Sequence, residues 1–295
     1  MTSTIVIDAS SAPTTGQTSR AANPHRSNEP RPKLTFGGVV RSERLKLTSL
    51  RGVRLTILIS ILAGLGLSTL IAAQWTGNTD VSSASGDAAL QNYLLMVSTA
   101  AASFLALVFG VLGVFAVSSE YSSGMILSTL TAVPKRMRVA AAKSIVLGII
   151  ATVTALIVVA AGLLVAVAFA PDALGQLGSS VVISGALGTV AYLVLFALFA
   201  MGVAGLLRSA AGAIAVVTGV AFVLPVAFQM MSMTGWEWVV NAMNYLPVML
   251  GNTLSQGVVE ATSGPGYWGA LVSMVIMAAV TLVPAAAIFA RRDAR

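Results

Sequence analysis

The chain has 295 residues, of which 57% are apolar and only 9% charged, with a net charge of +7 and a mean hydropathy of +0.90. A soluble protein of this length needs a charged outer surface that this composition cannot supply, so the bilayer has to be the solvent. The absence of cysteine excludes disulfides and thiolate chemistry, and the single histidine, His25, lies outside every apolar run, which leaves no His-based metal site or proton relay.

Residues 1–34 are rich in Ser, Thr, Pro and Arg and read as a disordered tail without the apolar core of a signal peptide. Residues 35–53 form a basic, amphipathic lead-in before the first long apolar run. A hydrocarbon core of about 30 Å takes roughly 20 apolar residues as helix, and six runs meet that length. They fall at about 55–73, 93–117, 144–170, 181–207, 210–230 and 268–290. Gly185, Gly188, Gly202 and Gly205 form a small-residue seam in the fourth run, while Pro225 and Pro284 are expected to kink the fifth and sixth. The expected fold is an all-α integral membrane protein with six transmembrane helices, residues 54–295 forming the bundle.

Charge placement sets the orientation. Lys and Arg precede the first run, lie between the second and third (Lys135, Arg136, Arg138, Lys143) and between the fourth and fifth (Arg208), and follow the sixth. The alternate connections, 74–92, 171–180 and 231–267, contain neither, and carry Asp80, Asp87, Asp172, Glu237 and Glu260 instead. By the positive-inside rule both termini are cytoplasmic. The positive charge then belongs to cytoplasmic loops facing anionic headgroups rather than to nucleic-acid binding.

Within the predicted spans there is no Asp, Glu, Lys, Arg or His. Proton-coupled transport and intramembrane proteolysis therefore lack their usual groups. No GxxxxGK[ST] phosphate loop occurs, so the chain is not expected to be an enzyme, and uphill transport would need energy from another polypeptide. Between the second and third spans, Ser122 is a candidate N-cap for a short helix that ends before Pro134. That helix would present Met125, Ile126, Leu127 and Leu130. Such an apolar cluster beyond the membrane suits either a protein docking surface or a helix lying on headgroups.

The order of short motifs around this loop carries a family resemblance. Glu-Tyr-x-x-Gly-Met-Ile at 120–126, then Leu130, Pro134, Arg136 and Ala-Lys at 142–143, resembles the permease subunits of the ATP-binding-cassette type-2 family in its actinobacterial style. The lead-in VVRSERLKLTSLRGVRLT at 39–56 and the Leu-Pro stretch NAMNYLPVMLG at 241–251 are similar to segments of the same family, so the likeness covers most of 39–295. It implies an exporter permease that forms the substrate pathway and docks a separate ATPase through a coupling helix at about 122–133.

Glu120, Tyr121, Gly124, Met125, Ile126, Leu130, Pro134 and Arg136 would be the coupling residues, with Glu120 pairing with Arg41, Arg44 or Arg138. Arg41, Arg44 and Lys46 would belong to a connecting helix along the inner membrane surface. Residues 232–262 would form an outer helical cap with Trp236, Trp238, Tyr245 and Trp268 at headgroup depth. Ser98, Thr99, Ser103, Thr218 and Gln229 are the polar candidates for the substrate cavity, although each hydroxyl has the competing role of bonding its own helix. ATP and Mg would sit on the ATPase, and a second permease, identical or homologous, would complete the assembly in the plasma membrane. A secondary transporter or channel, or a membrane anchor for an ATPase, are the alternatives.

Overall fold

The computed structural model describes residues 35–78, 86–123, 136–259 and 264–291, with the backbone alone for 76–78, 120–123, 136 and 291. These residues lie in one compact unit, Leu34–Arg295. Among the described residues, six helices or runs of consecutive helices are long and apolar enough to cross a membrane: Arg51–Trp75, Asp87–Ser119, Met137–Phe169, Ser180–Leu207, Ala210–Ser232 and Gly266–Ala290.

Helix α1 (Phe36–Ser49) starts at Thr35, whose side chain accepts from the Gly38 amide, and stops where Leu50 turns extended. Helix α2 (Arg51–Asn78) follows at once and carries the first span. Hydroxyls along it bond back to the helix: Thr56 donates to the Gly52 carbonyl at 2.8 Å and Ser60 to that of Thr56 at 2.9 Å.

The second span is two helices, α3 (Asp87–Thr99) and α4 (Ala102–Ser123), rather than one unbroken run. Ser98 and Thr99 stand at the break, and their hydroxyls donate to the carbonyls of Leu94 and Leu95 at 2.7 Å each. Two adjacent back-bonds of this kind bend a helix.

Helix α5 (Arg136–Phe169) has 34 residues, or about 51 Å at the α-helical rise. That exceeds the hydrocarbon thickness by several turns, so the third span projects well beyond the apolar run read from the sequence. After a 3₁₀ turn at Pro171–Gln176, α6 (Ser180–Leu207) is capped by Ser179 and ends on Arg208 at φ 54°.

The fifth span is α7 (Ala210–Thr218), a π turn at Gly219–Val223, and α8 (Leu224–Ser232) with Pro225 in its first turn. Pro225 has no amide hydrogen for the Ala221 carbonyl, and its ring would clash with that group in a regular helix. The π turn, in which the Leu224 amide bonds back to Gly219, absorbs the conflict. Two short helices, α9 (Glu237–Met243) and α10 (Pro247–Ser255), fill the stretch expected to form the cap. Helix α11 (Gly266–Arg291) contains Pro284 and carries the sixth span.

Helix α6 is the hub, packed against α4, α5, α10 and α11. Phe196, Ala197 and Ala200 of α6 are fully buried in the main apolar cluster with Leu105, Phe109 and Val158. Close approach depends on glycine. A side chain at Gly113 of α4 would strike the Ala197 backbone, and one at Gly202 of α6 would strike the backbone at Thr281 and Leu282.

Candidate functional site

The basic end of the bundle holds the most constrained polar group. Helix α1 buries one stripe, Val39, Glu43 and Leu47, spaced one helical turn apart. Val39 clusters with Val139 and Ala142 of α5 and with Phe289 of α11. Leu47 clusters with Val146 and Leu147 of α5. Residue numbers rise together on both helices, so α1 runs alongside the first turns of α5 in the same direction.

Glu43 falls midway, where Lys143 Nζ donates to its Oε2 at 2.8 Å. Lys46 Nζ donates to its Oε1 at 3.0 Å. Relative exposure is 1% for Glu43 and 6% for Lys143, which are the buried charged residues among those described. Burial is the largest influence on Glu43 and acts to raise its pKa. The charge and hydrogen bond of Lys143, joined by those of Lys46, outweigh it and hold the carboxyl below its ordinary value. An ion pair withdrawn from water to this degree is costly unless all its partners are in place. It therefore fixes the register of α1 on α5.

The sequence-predicted residues divide. Lys46 is drawn into this cluster, while Arg41, Arg44 and Arg138 are exposed. Glu120 and Tyr121 lie in the last turn of α4, which ends at Ser123, and Arg136 opens α5; all three are described as backbone only. Gly124, Met125, Ile126, Leu130 and Pro134, and with them most of the expected coupling helix, lie outside the described residues. The buried acid at this end is Glu43, and its partner is Lys143. From the sequence, Lys143 figures only as a loop charge and in the Ala-Lys motif, and Glu43 only within the lead-in segment, with no pairing between them foreseen, yet an acid on the apolar stripe Val39/Glu43/Leu47 was a readable signal.

Among the cavity candidates, Ser98 and Thr99 are buried and spend their hydroxyls on the α3 backbone. Thr99 also lines a partly polar cavity of about 330 Å³ with Gln91, Asn92, Ser255 and Gln256. Ser103 donates to Asn252 Oδ1 at 3.3 Å, tying α4 to α10. Thr218 is half-buried just before the π turn, and Gln229 is exposed on α8. The second and fifth spans are neighbours, with the rings of Phe104 and Phe222 6.4 Å apart.

A second cavity, of about 260 Å³, opens at the basic end. Its walls are Met137, Val139–Ala141, Lys143 and Ser144 of α5, Val117 of α4, Met201 and Gly205 of α6, and Leu282 to Phe289 of α11. It is apolar apart from Lys143 and Ser144.

Among the described residues, a bundle of six apolar spans with a buried charge clamp at its basic end has the make-up of a multi-pass membrane protein. The chain belongs to the ABC-2 transporter family: the family model described as ABC-2 family transporter protein matches residues 39–223, from the buried stripe of α1 to the π turn of the fifth span. A comparison with curated proteins gives no match. The protein is thus a multi-pass permease subunit of an ATP-binding-cassette transporter, a membrane component that works with an ATP-binding-cassette ATPase.

Proposed function

We propose that the chain is the substrate-pathway subunit of an exporter, driven through a coupling helix at about 122–133 that docks on the ATPase with Met125, Ile126 and Leu130. ATP and Mg belong to that partner. A second permease completes the assembly in the plasma membrane with both termini cytoplasmic, and the substrate class is hydrophobic or amphipathic.

The observation that carries this reading is the Glu43–Lys143 clamp. The segment 124–135 leads directly into α5, and Lys143 lies two turns into that helix. A displacement of the loop is therefore delivered to α5 and, through the buried pair, to α1. The 34-residue length of α5 gives the same push a rigid lever into the bundle.

The test is co-purification of the ATPase with the full permease carrying Met125→Asp, Ile126→Asp and Leu130→Asp together. Loss of the ATPase from a permease that still elutes as a folded, monodisperse species is the expected result. Undiminished capture refutes docking through this segment.

A further inference from the structure

The partly polar cavity of about 330 Å³ lies at the end of the bundle away from the clamp. Ala88 is the second residue of α3 and Val181 the second of α6, so the cavity sits where the second and fourth spans begin. Ala88, Gln91, Asn92, Leu95, Met96 and Thr99 line it in alternating steps of three and one, which is one face of a helix. That face runs about 16 Å along α3. The turn nearest the start of α3 is polar, with Gln91 and Asn92, and the next is apolar, with Leu95 and Met96. The remaining polar lining is Ser255 and Gln256, at the end of α10.

The lining polar groups are amides and hydroxyls, and among the described residues no ionisable side chain joins them. Connections at this end carry acids, such as Asp87 and Asp172, and neither Lys nor Arg. Gln91 Nε2 donates to Gln176 Oε1 at 2.8 Å, Thr99 gives its proton to the Leu95 carbonyl, and Ser255 gives its own to the Asn252 carbonyl at 2.9 Å. These three keep oxygen lone pairs with which to accept. The amides of Asn92 and Gln256, both exposed, make no side-chain hydrogen bond among the described residues. An occupant suited to this lining is uncharged and rich in hydroxyl protons. A phosphate brings only acceptors and a charge without a counter-ion, and a quaternary ammonium brings a charge and no donor. The hydroxyls of a sugar ring donate and accept at each position. We propose that the cavity binds the sugar head of a neutral glycolipid, held by Gln91, Asn92 and Gln256, with the start of its chains over Leu95 and Met96. The order of polar then apolar turns along α3, at the start of a span, selects a lipid-borne sugar over a free one. The site does not depend on how the permease is driven.

The test uses the full chain in phosphatidylcholine nanodiscs containing equal minor shares of monoglucosyl diacylglycerol and phosphatidylglycerol, with retained lipid counted by native mass spectrometry. The unaltered chain should retain the glycolipid in preference to both phospholipids. Asn92→Leu and Gln256→Leu, at exposed positions, should each lower that preference by about fivefold, the net worth of one hydrogen bond. Asn241→Leu removes an exposed amide of α9 outside the cavity and should leave the preference as it was. Ala88→Trp, which fills the cavity from an exposed position, should abolish retention.

A glycolipid with a photoactivatable group on its sugar supplies a readout that needs no variant. Its label should map to 88–99 and 255–259. Equal retention of the three lipids, an unchanged preference in the Asn92 and Gln256 variants, a fall as large in Asn241→Leu, or label confined to other surfaces overturns the site. Radiolabelled methyl glucoside bound as tightly as the glycolipid refutes a lipid-borne ligand and makes the cavity a site for a soluble sugar.

Discussion

The clearest perturbation is Lys143→Met, which keeps the length of the side chain and removes its charge. Glu43 is then left at 1% exposure with Lys46 alone, at 3.0 Å and with a side chain that is 26% exposed. Breaking a buried pair by removing one partner typically costs about 3–5 kcal/mol. The surviving Lys46 contact places the expected loss at the bottom of that range, about 3 kcal/mol. For a chain of this size, each kcal/mol shifts a melting temperature by roughly 2–4 °C, so a fall of roughly 6–12 °C is expected. Size-exclusion monitoring of the detergent-solubilised protein after graded heating reads it. The double variant Glu43→Leu, Lys143→Met is the informative control. With both charges gone and the gap filled by apolar groups, stability should return close to that of the unaltered protein. A single variant that melts within a degree or two of the parent refutes the reasoning, as does a double variant no better than the single one.

Two further outcomes follow from named side chains. Because partners hold the Glu43 carboxyl below its ordinary value of 4.5, its contribution to stability is fully present above that value and is lost as pH falls through the depressed folded value. The unaltered protein should therefore lose more stability than Glu43→Gln as pH is lowered below about 4.5, and parallel pH–melting curves for the two would refute this. Tyr192 of α6 is 1% exposed, lies against Gly251 of α10, and its hydroxyl has no hydrogen-bond partner among the described residues. Removing an unsatisfied buried hydroxyl relieves a desolvation cost of about 1–3 kcal/mol, so Tyr192→Phe should raise the melting temperature, and a drop would show that the hydroxyl is bonded.

The six spans were legible because a run of some 20 apolar residues has few other uses in a chain of this composition. Interruptions inside those runs were harder to read. The break after Thr99 depends on two consecutive hydroxyls choosing their own helix carbonyls, whereas Thr152 and Thr154 make the same bonds in an unbroken α5. Pro225 announced a distortion, but not that it would take the form of a π turn. The extension of α5 back to Arg136 was hidden because its first turns carry Arg136, Arg138 and Lys143, which hydropathy discounts. Those turns are stabilised by α1 lying beside them.

The same reason explains the miss at the clamp. Glu43 and Lys143 are 100 residues apart, and each reads as an ordinary charge near a membrane boundary. Only the folding of α1 onto α5 gives them a common environment. Of the five polar cavity candidates, Ser98 and Thr99 took the helix-bonding role, while Ser103 made an unexpected link to Asn252.

The contacts divide the bundle into pieces that resist separation to different degrees. Helix α6 meets α10 at Gly188, where an added side chain would strike the Leu254 backbone, and meets α11 at Gly202 against Thr281. Contacts this close, between backbones, leave little room for sliding, so α6, α10 and α11 form one piece. Helix α1 and the first turns of α5 form another, fastened by a buried ion pair between two flanking apolar contacts. The cavity at the basic end lies between these pieces, with Met137 to Ser144 on one side and Met201, Gly205 and Leu282 to Phe289 on the other. It is thus the gap whose width must change if α5 moves relative to α6. Whatever fills that gap resists its closing and so limits how far the α1–α5 piece can travel toward the hub.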